Sequence, residues 1–276
     1  MVDRYAVFGN PIEHSYSPLI HRQFALQTQQ SLDYQRKLIP VGDFSKSVDR
    51  FFSDKGCGLN ITVPFKTEAH DYAAQLTDRA ALAGAANILT CDEKGVVVGD
   101  NSDGFGLISD IRNNLGWRIA GQRILILGAG GAVRGILDPL LSERPLTVVI
   151  ANRTVDKALD LVKTFSNRGN LSGGGYDVLE TKQFDAVING TSASLVGSGI
   201  SLPDNLLTKN QSFCYDMMYG PRSNDLIWWA KRRGVQAADG LGMLVEQAAE
   251  SFFVWRGVRP STEPVIKLLR ETLADV

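Results

Sequence analysis

The sequence is poor in cysteine and histidine, has no long apolar run and carries almost no net charge. Its three cysteines, Cys57, Cys91 and Cys214, stand far apart in 276 residues. They are too few and too scattered for a disulfide framework or for zinc ligands, which fits a reducing compartment. His14, His21 and His70 form no pair four residues apart, so no metal site is expected. The 29 basic and 30 acidic side chains leave a formal charge of −1. That balance gives no electrostatic footprint for nucleic acid or an anionic membrane. An anionic ligand therefore has to be held by local charge. No apolar stretch reaches the ~18 residues of a membrane span. The opening MVDRYAVFGNP lacks a basic stretch followed by a long apolar run, which argues against a signal peptide. These absences point to a cytoplasmic protein without nucleic-acid or membrane partners, and they leave a homodimer open.

What is present is a hydrophobic content of 44%, enough for a substantial core, in a chain whose length and motifs favour two domains. Apolar runs of strand length alternate with helix-period segments. Strands are expected at Tyr5–Phe8, Tyr34–Ile39, Gly58–Thr62, Ala86–Thr90 and Val96–Gly99, with helices at Pro18–Thr28, Asp43–Phe52 and Lys66–Ala74. Asp43 is read as a helix cap. The pattern restarts with Arg123–Leu127, Thr147–Ile150, Asp185–Ile188, Phe213–Asp216 and Val235–Ala237. Such alternation predicts an α/β protein with parallel sheets covered on both faces. Pro139 is expected to kink or end its helix, and Ser166–Gly175 reads as loop. The boundaries drawn are 1–103 for a first α/β domain, 104–240 for a second, and 241–276 for helices that return to the first. The cleft between domains is the expected site.

Arg123–Leu127 runs into Gly128, Ala129, Gly130, Gly131 and Ala132 and then a helix. Glycines let the backbone turn tightly and approach a pyrophosphate, while the helix N-terminus offers free N–H groups and partial positive charge. The glycine fingerprint is imperfect, because Val133 holds its third position. After the next strand come Asn152, Arg153 and Thr154, near the place where an NAD enzyme carries a ribose-binding acid. An acid there would repel a 2′-phosphate. Arg153 can pair with one, Thr154 can donate a hydrogen bond, and Lys157 falls on the same face of a helix starting near Thr154. The alternative is an ordinary solvated helix start. The residues favour NADP over NAD.

Three polar segments of the first domain are candidates for substrate. Ser15 and Ser17 follow the first strand, where they can hold a polyol or carboxylate or simply cap the helix. Lys66 opens a helix against the macrodipole, a costly position that hints at function. Asp103 ends the run Gly99–Gly104, which taken alone is an ordinary turn. Asn87 sits inside an apolar strand, where burial demands a partner. Reducing a ketone by hydride needs a proton donor for the forming alkoxide. Lys66 can supply that proton and Asp103 can orient it.

Taken in order, these segments resemble the shikimate dehydrogenase family. The match runs through His14–Pro18, Asn60–Lys66, Gly99–Gly104, Gly128–Ala132, Asn152–Thr154, Asn189–Ser192, Tyr215–Tyr219 and Asp239–Ala248. The resemblance implies an N-terminal α/β substrate-binding domain and a C-terminal Rossmann-type NADP-binding domain. It also implies NADPH-dependent, reversible reduction of 3-dehydroshikimate to shikimate in aromatic amino acid (chorismate) biosynthesis. Ser15, Ser17, Thr62, Lys66, Asn87, Asp103, Tyr219 and Gln247 would then contact substrate, with Lys66 and Asp103 catalytic. Gly128, Ala129, Gly130, Gly131, Ala132, Asn152, Arg153, Thr154 and Lys157 would hold NADP, with Met217 and Gly240 near the nicotinamide and Asp78 a further cofactor position. Ile88, Gly190 and Lys157 depart from the commoner Thr, Ala and Arg. A lysine at 157 keeps the charge but loses bidentate geometry.

Three rivals differ by visible features. A quinate/shikimate dehydrogenase tolerating NAD would show an acid in place of Arg153. A methylenetetrahydrofolate dehydrogenase would not need the serine pair and the NSDG run. A non-catalytic NADP sensor would need neither Lys66 nor Asp103.

Overall fold

The computed structural model describes residues 2–191, 202–208, 212–220 and 224–274. Ser192, the last residue of one family-like segment, lies outside them. The chain divides into two compact units. Unit 1 takes the residues up to Gly106 together with Val245–Leu269, and unit 2 takes Leu107–Leu244 together with the residues from Arg270.

Unit 1 contains β1 (Asp3–Gly9), α1 (Ser17–Thr28), β2 (Leu32–Leu38), α2 (Phe44–Ser53), β3 (Gly56–Ile61), α3 (Lys66–Tyr72), β4 (Gln75–Leu76), α4 (Asp78–Ala83), β5 (Ile88–Cys91), β6 (Val97–Asp100) and the start of α5 (Asp103–Ser109). Most of α10 (Leu241–Arg256) and the first turns of α11 (Glu263–Ala274) also belong to it. Its sheet has the order β2-β1-β3-β5-β6-β4. Along β1, Ala6 and Phe8 join one core cluster while Tyr5 and Val7 join another with Ile12 and Tyr34. Alternate side chains point to opposite faces, so burial of both explains the continuous apolar run.

Unit 1 adds a local departure from parallel pairing, because β5 runs antiparallel to both β3 and β6. The cause is a tight connection. Asp92 Oδ1 accepts the backbone N–H groups of Lys94 and Val96 at 2.9 and 2.8 Å, and Gly95 sits at φ +80°. An aspartate bonded to its own following backbone makes such a turn without an Asn-Gly pair. The hairpin sets Asn87 N–H on the Asp100 carbonyl at 2.9 Å, which decides the geometry of the site.

Unit 2 contains a π-helical turn (Asp110–Asn114), β7 (Arg123–Leu127), α6 (Gly131–Ser142), β8 (Thr147–Ala151), α7 (Val155–Thr164), β9 (Leu171–Gly174), α8 (Val178–Thr181), β10 (Ala186–Asn189), β11 (Phe213–Asp216), α9 (Asn224–Lys231) and β12 (Gln236–Asp239). All its strands pair in parallel, in the order β12-β11-β10-β7-β8-β9. This is the doubly wound dinucleotide-binding order, with its switch point between β7 and β10. Leu125, Leu127, Val149, Ala151, Val187 and Cys214 share one core cluster.

Other differences from the sequence reading have local causes. Pro139 lies inside α6, which continues to Ser142. The buried face formed by Val133, Ile136, Leu137, Leu140 and Leu141 spans the proline, and its packing offsets the lost backbone bond. Part of the expected loop at Ser166–Gly175 is strand β9, paired with β8. A Cβ on Gly173 would lie 3.0–3.1 Å from Val162 and the Ala158 carbonyl, so glycine admits α7 against the strand. Asp43 occupies the N-cap of α2 but makes no side-chain cap. Its carbonyl instead accepts from Ser47 N–H at 3.0 Å.

Candidate active site

Lys66 opens α3 after the turn 62–65 that follows β3, and Asp103 opens α5 after β6. Their side chains meet, with Lys66 Nζ 2.6 and 2.8 Å from the two oxygens of Asp103. Asp103 is 2% exposed, whereas the lysine side chain keeps 20% of its surface open. Asn87 supplies the partner network its burial requires. Its Nδ2 donates to Asp103 Oδ1 at 2.8 Å and to Gln247 Oε1 at 3.2 Å, while its Oδ1 accepts Ser102 N–H at 2.9 Å. The Lys66 carbonyl accepts Ala86 N–H at 2.8 Å, so α3 and the start of the hairpin are tied together as well.

The serines form a second cluster. Ser15 Oγ donates to Ser17 Oγ at 3.1 Å and accepts Ser17 N–H at 3.3 Å, while the N-cap position of α1 is Tyr16, without a side-chain cap. Tyr34 donates to Asn60 Oδ1 at 2.7 Å. Asn60 Nδ2 in turn donates to the Asn87 carbonyl at 3.2 Å and to Ser251 at 2.8 Å. A chain of bonds therefore runs from Tyr34 through Asn60 and Asn87 to the lysine–carboxylate pair. Burial raises the Tyr34 phenol well above its usual range, which keeps it a neutral donor. Beneath it His21 stacks on Tyr34 at 4.1 Å between ring centroids, and burial pushes its pKa down to about 3. His21 is a neutral packing residue. Thr62, half-buried at the end of β3, fills the room left by Gly9, whose added Cβ would lie 2.5 Å from the threonine methyl. Asp78, exposed at the start of α4, belongs to unit 1, and Tyr219, half-buried after β11, belongs to unit 2.

In unit 2, β7 delivers the chain to Gly128 at φ +103° and then to Gly130, the N-cap of α6, which carries no side-chain cap. A Cβ on Gly130 or Gly131 would meet nothing within 4 Å. This open cradle, faced by uncapped N–H groups at the end of a 12-residue helix, is the setting a pyrophosphate needs. Across from it on β8, Asn152 Nδ2 donates to the Thr154 carbonyl at 2.8 Å, and Arg153, Thr154 and Lys157 are exposed at the start of α7. Among the described residues neither Arg153 nor Lys157 has an ion-pair partner. The cradle, the two unpaired cations and the absence of an acid at 152–154 fit NADP.

A departure from the family resemblance, Gly190, and one from the glycine fingerprint, Val133, explain each other. A Cβ on Gly190 would lie 2.3 Å from Val133 Cγ2. Val133 occupies the third fingerprint position, where a glycine normally permits close helix–strand packing. Here glycine at 190 vacates the space that valine at 133 fills. We predict that Gly190→Ala costs about 1–3 kcal/mol of stability by overpacking, measured by urea denaturation, and that adding Val133→Ala recovers most of it. A double variant no more stable than Gly190→Ala would break the pairing.

At the ends of β10 and β11, Asn189 Nδ2 donates to Asp216 Oδ2 at 3.0 Å and Met218 N–H donates to Asp216 Oδ1 at 2.9 Å. Gly240 N–H donates to the Met218 carbonyl at 2.9 Å, and any Cβ there would lie 2.3 Å from the Met217 carbonyl. The Met217 and Gly240 segments are thus in direct contact. Burial raises the Asp216 carboxyl to about 6 against an ordinary 3.8, although its hydrogen bonds work to lower it. The folded state then holds this proton more tightly than the unfolded chain. Its contribution is complete below about pH 4 and is lost as pH rises through about 6, a change on the order of 2–3 kcal/mol. Asp110, also raised by burial, acts in the same direction. Asp216→Asn is expected to flatten the decline in unfolding free energy between pH 4 and 6, and an unchanged slope would exclude Asp216 as its source.

The sequence reading singled out Lys66, Asp103, Asn87 and Gln247, which the structure brings together, but passed over Asn60, Ser102 and Tyr34, which bond among them. The polarity of Asn60 within the strand Gly56–Ile61 is the signal that the sequence offers for it.

Comparison with known proteins identifies the family. Residues 7–89 match the shikimate dehydrogenase substrate binding domain, 111–200 match shikimate / quinate 5-dehydrogenase, and 240–270 match the shikimate 5'-dehydrogenase C-terminal domain. A shikimate dehydrogenase (NADP(+)) of Cellvibrio japonicus is 56% identical over 100% of this chain and 99% of its own. One from Alkalilimnicola ehrlichii is 54% identical over 98% and 99%. Among solved structures, an Ael1 enzyme from Pseudomonas putida has a TM-score of 0.87 at 44% identity, covering 97% of this chain and 98% of that one. The Thermus thermophilus shikimate 5-dehydrogenase in complex with NADP(H) and shikimate reaches 0.85 at 27%, covering 99% and 100%. With the Lys66 and Asn87 segments, the glycine turn and the Gln247 helix all inside matched stretches, and its whole length shared with these relatives, this chain belongs to the shikimate dehydrogenase family.

Proposed function

We propose that this chain interconverts 3-dehydroshikimate and shikimate with NADP(H), a step of aromatic amino acid (chorismate) biosynthesis. The observation that carries the reading is the Lys66–Asp103 pair, 2.6 Å apart and sharing Asn87 with Gln247. Bound NADPH supplies a hydride to the ketone carbon, and NADP+ accepts it back in the reverse direction.

The ketone oxygen then needs one proton, which Lys66 Nζ holds. An ammonium has three donors. Two lie within hydrogen-bond distance of the Asp103 oxygens, which leaves one for the substrate. Asp103 balances the charge and accepts from a neighbouring substrate hydroxyl. Asn87, Gln247 and Thr62 hold further hydroxyls, and Ser15 and Ser17 hold the carboxylate through neutral donors. Tyr219 completes the substrate set. On the cofactor side, Gly128, Ala129, Gly130, Gly131 and Ala132 receive the pyrophosphate, while Asn152, Arg153, Thr154 and Lys157 hold the 2′-phosphorylated ribose. Met217, Gly240 and Asp78 are assigned to the cofactor on the family resemblance alone. Among the described residues no helix is long and apolar enough to cross a membrane. Cytoplasmic placement and a homodimer belong to this reading, and analytical ultracentrifugation tests the second.

The deciding assay follows NADPH and NADH absorbance with 3-dehydroshikimate and, separately, with 3-dehydroquinate. Rapid loss with NADPH and the first ketone alone is expected. Equal rates with 3-dehydroquinate would move the assignment to a quinate/shikimate dehydrogenase, and no turnover with either would remove the catalytic reading.

A further inference from the structure

The segment Asp100–Asp103, which carries the chain from the last residue of β6 into α5 and brings Asp103 to Lys66, is pinned by side-chain bonds. Within it, Asn101 Oδ1 accepts the backbone N–H of Asp103 at 3.0 Å and Asn101 Nδ2 donates to the Ala85 carbonyl at 2.9 Å. Asp100 Oδ1 accepts the N–H of Asn101 at 2.7 Å and the Thr77 hydroxyl at 2.6 Å. Asp100 is itself gripped by Arg79, whose Nε and Nη2 donate to its two oxygens at 2.6 and 2.5 Å.

The same guanidinium reaches a second segment. Arg79 Nη1 donates to Glu250 Oε1 at 2.9 Å. Glu250 lies on α10 one turn beyond Gln247, whose side chain meets Asn87 and whose carbonyl accepts Ser102 Oγ at 3.2 Å. The other Glu250 oxygen accepts from Arg259 at 2.7 Å, and the Arg259 guanidinium lies 5.0 Å from the ring of Phe105, two residues past Asp103. One planar cation therefore bridges two carboxylates, one at the base of the Asp103 segment and the other on the helix that carries Gln247.

We propose that Arg79 is a positioning residue for the reaction, setting the Asp103 segment in register with Gln247 through its simultaneous grip on Asp100 and Glu250. The inference rests on the functional reading above. Arginine is required because three N–H groups in a rigid fork serve acceptors on two carboxylates, whereas a lysine ammonium is a compact point charge. Burial works against the Asp100 carboxylate, and its bonds from Arg79 and Thr77 hold it below the usual range. A purely structural role would need only that charge.

The test is Arg79→Lys, which keeps the charge and removes the fork. With Arg79→Lys, kcat for shikimate oxidation is expected to fall about 10- to 100-fold, the scale of an ångström-level misplacement. KM for shikimate should rise, and the dissociation constant for NADP+ should not change. Arg256→Lys is the control, since Arg256 binds Gln30, Asp3 and Tyr5 at the other end of α10. It should lower melting temperature without lowering kcat. A kcat for Arg79→Lys equal to wild type, or a loss matched by Arg256→Lys at equal melting temperature, would overturn the proposal. A crystal structure of Arg79→Lys gives a readout independent of turnover. Separation of Lys66 Nζ and Asp103 beyond about 3.5 Å supports positioning even if shikimate proves not to be the substrate, and an unmoved pair refutes it.

Discussion

Replacing Lys66 by alanine is expected to lower kcat for 3-dehydroshikimate reduction by about 10^3- to 10^4-fold, at the upper end of what a positioned general acid contributes. The reason is local. The ketone oxygen must gain a proton as the alcohol forms, and Lys66 Nζ is the donor that faces Asp103 at 2.6 Å. NADPH affinity should survive, because the glycine cradle is built by unit 2 while Lys66 belongs to unit 1. Stability should fall by up to about 3–5 kcal/mol, since Asp103, 2% exposed, keeps its bond from Asn87 at 2.8 Å but loses its counter-charge. Because the two residues act as one unit, Lys66→Ala combined with Asp103→Asn should lose little more than the worse single variant. Steady-state kinetics of the three variants checks this. Wild-type turnover by Lys66→Ala would take the lysine out of the mechanism.

Gly130→Val is expected to weaken NADPH binding at least about 100-fold while lowering the melting temperature by only about 2–4 °C, the cost of a poorer N-cap. A valine there keeps an extended backbone, since Gly130 has φ −87° and ψ −177°, and its Cβ meets no protein atom within 4 Å. The added bulk sits at the α6 N-cap, where a backbone must approach the pyrophosphate closely. At ~1.4 kcal/mol per factor of ten, displacing those contacts accounts for a loss of this size. Gly128 makes the contrast. Its φ of +103° would strain any other residue, so Gly128→Val should damage the fold as well as the affinity. Titration of the Gly130→Val protein with NADPH by fluorescence decides the matter, and near-native affinity would show that the phosphate lies elsewhere.

Unit 2 was read almost entirely from local pattern. RILIL followed by GAGGA is a strand buried on both faces running into a turn that only small residues permit, and both signals lie within ten residues. Arg153 and Lys157 were equally readable, because a cation at a strand end is recognised by its position relative to that turn. The Lys66 and Asp103 candidates came from a comparable local oddity, a charge placed where an ordinary helix or turn would not favour it. Where sequence reading failed, the missing information was a partner far away in the chain. Pro139 signals a kink or an end of its helix, and the helix runs on to Ser142 because the buried face of α6 continues past it. The antiparallel hairpin was missed because Asp92 makes its turn through side-chain bonds instead of a familiar dipeptide.

Composition, period and motif order by themselves determined a two-part α/β protein, a dinucleotide turn suited to NADP, and a lysine and an aspartate at separate strand ends. Those properties are written in short stretches of chain, where backbone geometry and side-chain type suffice. Only the tertiary structure decided that the lysine and aspartate touch, that Asn87 binds Gln247 across 160 positions of sequence, that Val133 fills the room left by Gly190, and that Arg79 spans two carboxylates. Each of these depends on which distant groups share a few ångströms of space. Hydrogen bonding and close packing set that distance, and no local pattern encodes it.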